Sequence, residues 1–265
     1  MSASSDRGET PLVEMRNLHK FYERVHALND VNFKIYPGEA VGLIGENGAG
    51  KSTLIKILAG VIRNDKGEIF WKGERVEIPS VDVSRRLGIE TVFQEATLID
   101  IFNVGQNIFL GREPTKRLGP IRHVDYRRMN ETSAVLLKEL RLRVTPDREV
   151  RFCSGGERQG IAVSRAMHFK ANLVILDEPT RGLSIMGVEQ IWKFARKLKE
   201  EKIACIFITH QFHDVYPVAD RFVMLARGIK VLDKEKKDLS IQDLEAEMLR
   251  AYEKAEQLAS KSGQR

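Results

Sequence analysis

Apolar residues fall into short alternating or continuous runs along most of this chain. The alternation in VNFKI predicts a strand with one buried face, and the turn dipeptide Pro37–Gly38 follows it. Continuous apolar runs in AVGLIG, LVILD and IACIFIT predict strands that are buried on both faces. GEIFWKG and ERVEI predict an antiparallel pair turning at Lys72–Gly73, and RFVMLARGIKVLD predicts a second hairpin turning at Arg227–Gly228.

Helical periodicity appears between these strands. Residues 125–142 place one apolar face on a helix that Asp125 would cap, formed by Met129, Ser133, Leu136, Leu137 and Leu140. VEQIWKFARKLKEE reads as an amphipathic helix, and residues 236–265 predict a charged helical tail. Because strands and helices alternate, the chain is expected to form an α/β fold with a mainly parallel sheet and helices on both faces.

Composition changes this picture only slightly. The 265 residues are 42% hydrophobic and 30% charged, as in ordinary soluble proteins, and no run reaches the roughly 18 apolar residues that span a bilayer. The polar first ten residues lack the apolar stretch of a signal peptide, so a cytoplasmic location is expected. Cys153 and Cys205 form neither a metal-ligand pattern nor a disulfide framework, and both are interpreted as structural.

The charge balance is basic, with a formal net charge of +6. A solvated basic surface accounts for it, and an anionic nucleotide or an anionic membrane surface would also suit it. The stretch 112–128 contains six arginines and lysines against two acids, without the interleaved aromatic residues typical of nucleic-acid binding. No nucleic-acid partner is therefore expected.

The strongest motif is GENGAGKS, which matches the phosphate-binding pattern G-x-x-x-x-G-K-[ST] between an apolar strand and an apolar helix. Its glycines let backbone N–H groups surround phosphates, Lys51 would reach the β- and γ-phosphate oxygens of a nucleotide, and the Ser52 hydroxyl would bind Mg²⁺. These features predict a P-loop NTPase. The expected nucleotide-binding residues here are Gly45, Glu46, Asn47, Gly48, Ala49, Gly50, Lys51, Ser52 and Thr53.

A second candidate lies at the end of the apolar run LVILD. Asp177 would stand at the carboxyl end of a buried strand, where ligands of α/β proteins bind, and would hold Mg²⁺ directly or through its water. Glu178 is one residue further along, points elsewhere, and could act as the general base for the attacking water.

Three further motifs occur in a fixed order around these two. VFQE places Gln94 at a strand end, CSGGE precedes the acidic strand, and FITH places His210 at another strand end. With them the chain resembles the ATP-binding subunit of an ABC transporter over about residues 12–232. The resemblance implies an ATP-binding domain over residues 11–235, an antiparallel β subdomain, and a helical subdomain inserted at about residues 95–164.

The resemblance also implies roles for individual residues. Tyr22, with Phe21 as the near alternative, corresponds to the aromatic residue that stacks on adenine. Gln94 corresponds to the glutamine that senses Mg²⁺ and the attacking water and links the ATP state to the membrane partner. Glu178 corresponds to the catalytic glutamate, and His210 to the histidine that contacts the γ-phosphate.

The second glycine-rich loop, RFCSGGERQG, raises the question of why one domain has two candidate phosphate-binding loops. By resemblance, Ser154, Gly155 and Gly156 form the family signature, which binds the γ-phosphate of the ATP held by another subunit. A head-to-tail dimer with two ATPs between the loops is therefore expected.

Two positions depart from the family pattern. Cys153 stands where leucine is usual, and a small apolar residue there is expected to pack rather than bind. Ser184 replaces an aspartate that helps to couple the two nucleotide sites of the dimer, so this departure concerns coupling rather than ATP binding.

VFQEATLIDIFNVGQNIFLGREP resembles the corresponding stretch of ATPases that serve importers of simple sugars of the ribose and xylose type. This resemblance implies a cassette that pairs with itself, contacts a transmembrane permease through about residues 95–112 at the inner face of the membrane, and depends indirectly on a substrate-binding protein. An ABC ATPase for another substrate, and a soluble ABC protein that uses ATP as a switch without a permease, remain alternatives.

Overall fold

Strands and helices alternate in the computed structural model, which describes residues 9–92, 98–169, 171–181 and 183–262. The strands are β1 (Val13–Tyr22), β2 (Val25–Ile35), β3 (Ala40–Ile44), β4 (Lys66–Trp71), β5 (Glu74–Val76), β6 (Ile89–Val92), β7 (Thr115–Leu118), β8 (Ile121–Val124), β9 (Leu173–Asp177), β10 (Ala204–Thr209), β11 (Arg221–Ala226) and β12 (Ile229–Glu235). The α-helices are α1 (Lys51–Leu58), α2 (Val81–Arg86), α3 (Val104–Phe109), α4 (Tyr126–Glu139), α5 (Gly155–His168), α6 (Ile185–Glu200), α7 (Phe212–Val215) and α8 (Ile241–Ser262).

The main sheet has six strands in the order β12–β11–β3–β10–β9–β6. All neighbouring strands are parallel except the β11–β12 hairpin. Every side chain of β3, β10 and β11 is buried, as expected for strands covered on both faces. The predicted mainly parallel sheet is confirmed.

Two apolar cores cover the two faces of this sheet. On one face, α1 packs between the main sheet and a four-stranded antiparallel sheet with the order β2–β1–β4–β5, which is the predicted antiparallel β subdomain. On the other face, α5, α6 and α7 contribute to the second core, together with residues of α8. Among the described residues, no helix is both long and apolar enough to cross a membrane.

A third core lies among α3, α4 and α5. Asp125 caps α4 as predicted, because its side chain accepts a hydrogen bond of 3.1 Å from the Arg128 N–H. Cys153 is buried in this core, so its side chain packs as expected, and burial raises the pKa of its thiol. Helices α3 and α4 lie within the predicted inserted subdomain, and α5 continues four residues beyond its predicted limit of 164. The limits at 95 and 164 stay predictions.

One element was not expected. The antiparallel hairpin β7–β8 precedes α4 and turns at Gly119–Pro120, with Gly119 at φ 64°. Three of its eight strand residues are Lys or Arg, and its apolar residues do not alternate regularly with polar ones, so the hydrophobic pattern gives no strand signal there.

A buried ion cluster fastens the edge of the main sheet to β2. Arg221, only 6% exposed, contacts Glu39 at 2.8 Å and Asp233 at 2.5 Å, and donates to the Lys34 carbonyl at 2.6 Å. Burial lowers the pKa of Arg221, but hydrogen bonding to Glu39 and the charge of Asp233 outweigh it, so the net shift is upward. Full pairing of this kind is what a buried charge requires.

Candidate active site

The register of three parallel strands gathers the candidate residues at one edge of the sheet. In β10, Thr209 is opposite Ile44, the last residue of β3, and Ile208 is opposite Asp177, the last residue of β9. The phosphate loop after β3, Glu178 after β9 and His210 after β10 therefore leave the sheet side by side. This edge is the carboxyl end of the strands, where α/β proteins bind ligands.

Backbone conformation and crowding require glycine at two positions of the phosphate loop. Gly45 has φ 142°, and a Cβ there would lie 2.3 Å from the Leu225 carbonyl oxygen. Gly50 has φ 104° and caps the N-terminus of α1, and a Cβ there would lie 2.7 Å from the Ala27 carbonyl oxygen. The loop is thus held tightly against β11 and β2, while a Cβ on Gly48 would meet no atom within 4 Å.

Lys51 is buried within this loop, with 6% of its surface exposed. Its ammonium donates to the carbonyls of Gly45 at 2.6 Å and Glu46 at 2.8 Å, which engages two of its three N–H donors. Burial lowers the pKa of Lys51, whereas the charges of Glu178, Asp177 and Glu46 raise it. The lysine therefore lies within the electrostatic field of both acids after β9.

Glu178 is the most fully organised of the candidate residues. It adopts the left-handed region at φ 49°, and its N–H donates to the Ile208 carbonyl at 2.9 Å. One carboxylate oxygen lies 2.7 Å from Nδ1 of His210 and accepts the His210 N–H at 3.2 Å, while the Thr209 hydroxyl lies 3.3 Å from the other oxygen. A non-glycine residue held in this conformation by hydrogen bonds is a feature of preorganised sites.

The surroundings of Asp177 disfavour its ionised form. Burial raises the pKa of its carboxyl group, and the nearby Glu178 raises it further, although Lys51 and Lys56 oppose the shift. Because its surroundings disfavour the ionised form, a cation bound next to Asp177 would stabilise the carboxylate strongly.

The oxygen ligands present fit Mg²⁺ rather than a metal held by protein alone. The described residues contain no group of three His, Cys, Asp or Glu side chains that could hold a metal ion. Mg²⁺ commonly uses one or two carboxylates together with waters and substrate phosphates. The partly buried carboxylate of Asp177 and the exposed Ser52 at the first turn of α1 match this requirement.

Of the two candidate adenine-stacking residues, Tyr22 has the less occupied ring. Phe21 stacks on His26 with ring centroids 4.1 Å apart, whereas Tyr22 is 43% exposed, with the Lys20 ammonium 5.8 Å from its ring centre. Lys20 pairs across the strands with Leu28, which lies against Gly50. The β1–β2 turn is therefore close to the phosphate loop, and we favour Tyr22.

The signature loop, formed by Ser154, Gly155 and Gly156, lies apart from the contacts of Lys51 and Glu178 and faces solvent. Ser154 caps α5: its hydroxyl accepts the Glu157 N–H at 3.3 Å, and the Glu157 carboxylate accepts the Ser154 N–H at 2.7 Å. This reciprocal pair is a capping box, for which S-x-x-E is the sequence signal. Ser154 and Gly155 are exposed at the N-terminus of a 14-residue helix, an arrangement suited to binding an anion.

The predicted roles of two further positions remain untested. Gln94 lies outside the described residues, so its predicted role stays a prediction. Ser184 caps α6 by accepting the Gly187 N–H at 3.3 Å, a function that the usual aspartate at this position could also perform.

Two supporting residues were missed. Thr209 is completely buried beside Glu178, and Gly228 joins the phosphate loop to β2 by donating to the Ala49 carbonyl and accepting the Asn29 N–H. The sequence did contain a signal for Thr209, because it is a polar residue at the end of the apolar run IACIFI. Gly228 was visible only as a turn residue.

Comparison with known proteins agrees with this geometry. The domain model described as ABC transporter matches residues 28–181. The chain belongs to this family. ATP with Mg²⁺ is accordingly the cofactor of this family, and ATP hydrolysis is its activity.

Two curated relatives illustrate the range of the family. The xylose/arabinose import ATP-binding protein XylG of Sulfolobus acidocaldarius is 39% identical over 88% of this chain and 92% of its own length. The ribose import ATP-binding protein RbsA 1 of Rubrobacter xylanophilus is 43% identical over 82% of this chain but only 43% of its own length. The chain thus spans almost all of the first relative and less than half of the second.

Solved structures share the fold. A nucleotide-free ATP-binding cassette from an ABC transporter superimposes with a TM-score of 0.79 at 20% identity, covering 91% of this chain and 98% of that one. The cassette MJ0796, solved as a dimer bound to ADP and Pi, gives a TM-score of 0.72 at 23% identity, covering 84% of this chain and 98% of that one. The predicted ABC-type α/β fold is confirmed.

The raised pKa of Asp177 predicts a stability change. The native state holds this proton more tightly than the unfolded chain, so stability falls as pH rises from the unfolded pKa, about 3.9, through the higher folded value. At pH 7 the ionised carboxylate therefore costs stability. Asp177→Asn should raise the melting temperature of the nucleotide-free protein at pH 7, and this gain should shrink towards about pH 4.

Thermal unfolding monitored by circular dichroism at both pH values measures this effect. Asp147→Asn, at an exposed loop position, is the control and should change the melting temperature little at either pH. A lower melting temperature for Asp177→Asn at pH 7 would contradict the assigned electrostatic cost.

Proposed function

We propose that this protein is the ATP-hydrolysing subunit of an importer for a simple sugar, and that it works as a head-to-tail dimer on a membrane permease. The organisation of Glu178 carries the proposal: its carboxylate is oriented by His210 and Thr209, on the same strand edge as Lys51 and Asp177. The names of the curated relatives support the substrate class.

The residues have complementary tasks in this proposal. The phosphate loop and Lys51 bind the phosphates of ATP, and Tyr22 stacks on the adenine. Ser52 and Asp177 would hold Mg²⁺, which supplies charge neutralisation at the phosphate oxygens. Glu178 accepts the proton of the attacking water, while His210 orients Glu178 and contacts the γ-phosphate.

Replacing the carboxylate of Glu178 by an amide tests this assignment. Glu178→Gln preserves the size of the side chain and removes its basicity, so the rate of ATP hydrolysis should fall by about 10²–10⁴-fold, while ATP still binds. Phosphate release and fluorescent-ATP titration measure the two quantities. Glu189→Gln, at the surface of α6, should retain wild-type turnover, and wild-type turnover of Glu178→Gln would exclude Glu178 as the base.

A dimer would complete the site. Ser154 and Gly155 are exposed, and the hydrogen-bonding groups at this helix N-terminus are presented to solvent, where another subunit can approach. The γ-phosphate of an ATP held by the phosphate loop of a second copy is the proposed ligand. The dimeric state of MJ0796 is a precedent within the same fold.

Replacing Ser154 by arginine should distinguish the role of the phosphate loop from that of the signature loop. In Ser154→Arg, the affinity of the monomer for ATP should stay within about twofold of wild type, because the phosphate loop belongs to another part of the chain. The rate of ATP hydrolysis should fall by at least about tenfold, because the arginine blocks closure of the dimer. Ser80→Arg is a matched control, since Ser80 also caps an exposed helix N-terminus, that of α2.

Titration of ATP against each variant and sedimentation of the ATP-bound protein distinguish these effects. Loss of ATP binding in the Ser154→Arg monomer would show that the signature loop grips the nucleotide of its own subunit, which contradicts the head-to-tail dimer.

The proposed permease contact lies beside the signature loop. Ile101 and Phe152 are 71% and 60% exposed, and Ile99 is 37% exposed. The backbone of this segment is tied to the residues before the signature: Arg151 N–H donates to the Asp100 carbonyl and Val150 N–H to the Phe102 carbonyl, each at 3.0 Å. A permease that moves residues 98–102 would therefore also move the signature loop.

The remaining partners follow from this arrangement. The permease would hold the subunit at the inner face of the membrane, and a substrate-binding protein would act indirectly through the permease. The proposal contains no role for a nucleic acid.

Substrate uptake tests the transport role and the sugar class. Deleting only this gene should reduce uptake of one simple sugar, of the ribose or xylose class, to background, and a plasmid copy should restore it. The Glu178→Gln copy should not restore it, because transport requires hydrolysis. Normal uptake of all such sugars, with no membrane protein co-purifying with the chain, would favour a soluble ABC switch.

A further inference from the structure

The unexpected β7–β8 hairpin carries exposed cations that no acidic side chain among the described residues neutralises. The side chains of Lys116, Arg117 and Arg122 are exposed and form no hydrogen bond or ion pair with any other described residue. Both nearby acids are engaged elsewhere: Glu113 accepts the Gly111 N–H at 3.0 Å, and Asp125 caps α4. The hairpin therefore presents its positive charge to solvent.

Strand register places basic residues directly opposite one another across the two strands. Arg117 is directly opposite Arg122, and Lys116 is directly opposite His123. Because side chains alternate between the faces of a strand, each face of the hairpin receives one of these pairs. Like charges directly opposite one another destabilise an antiparallel pair, and a two-stranded hairpin has little stability to lose.

Exposed apolar groups accompany the cations. Ile121 follows the Gly119–Pro120 turn and is 59% exposed, and Tyr126, the first residue of α4, is 57% exposed. Tyrosine is enriched at membrane–water interfaces, where its ring contacts the headgroup region and its hydroxyl remains hydrated. Cations flanked by such residues match the surface of an anionic bilayer.

We propose that the β7–β8 hairpin binds the anionic phospholipid headgroups of the membrane next to the permease. Cytoplasmic loops of membrane proteins carry an excess of Lys and Arg, so a permease loop is a poor partner for this hairpin, whereas anionic lipid attracts it. A single exposed aromatic residue provides little of the stacking that single-stranded nucleic acids use. The inference assumes the membrane setting of the proposed function, but not ATP hydrolysis or any particular sugar.

Vesicle binding by the full chain, without permease or nucleotide, tests the proposal. The protein should co-sediment with phosphatidylglycerol–phosphatidylcholine vesicles and not with phosphatidylcholine alone, and binding should weaken as salt rises. Because the assay contains no permease, failure of vesicle binding is distinguishable from failure of the transport function, which uptake and hydrolysis report.

A charge-reversed hairpin provides the direct comparison. The double variant Arg117→Glu with Arg122→Glu keeps like charges opposite each other but reverses their sign, so it should bind anionic vesicles at least about 25-fold more weakly, at roughly fivefold for each cation lost. The matched control, Lys138→Glu with Arg143→Glu, has the same change in net charge. Lys138 and Arg143 lie near the opposite end of α4, and the control should bind within about threefold of wild type.

Reversing one charge distinguishes an effect on lipid binding from an effect on the stability of the hairpin. Arg122→Glu creates an opposite-charge cross-strand pair with Arg117, so it should slow proteolytic cleavage of the hairpin, yet it should weaken vesicle binding at least about fivefold. A merely structural role predicts no loss of vesicle binding in a better folded hairpin.

Three results would overturn the proposal: equal binding to neutral and anionic vesicles, an equal loss of binding in the control double variant, or binding of the hairpin to an oligonucleotide in preference to anionic vesicles.

Discussion

The register of β3, β10 and β9 is the constraint on which the candidate site depends. Each strand contributes only a short polar group after an apolar run, and none of these groups could act alone. Because the strands are parallel and aligned to the residue, the phosphate loop, His210 and Glu178 emerge at one edge. A slip of one residue in β10 would reverse the faces of its side chains and separate His210 from Glu178.

The rest of the fold supports this edge from a distance. Arg221 fastens β11 to Glu39 before β3 and to Asp233 on β12, so the strand that crowds Gly45 is held in place at its other end. Gly228, in the β11–β12 turn, then joins the phosphate loop to β2. A rigid loop matters because backbone N–H groups can bind phosphates strongly only if they are already oriented.

Sequence predicted the features that depend on local pattern. The phosphate loop, the buried strands and the cap at Asp125 each follow from short-range rules, and the family resemblance supplied the residue roles. Thr209 and Gly228 were missed because their contacts join residues far apart in the chain. The β7–β8 hairpin was missed because charged strands lack the apolar alternation that marks a strand, and its register could be seen only in three dimensions.

The link between residues 98–102 and the signature loop has a thermodynamic consequence. Arg158 forms an ion pair with Asp100 and donates to the Val150 carbonyl, in addition to the backbone bonds between the two segments. If a permease conformation shifts this unit and so changes the affinity for ATP, linkage requires that ATP shift the permease equilibrium by the same free energy. In the proposed transporter this coupling would be reciprocal: the membrane partner would change the affinity of the nucleotide site by the same factor by which the nucleotide changes the state of the membrane partner.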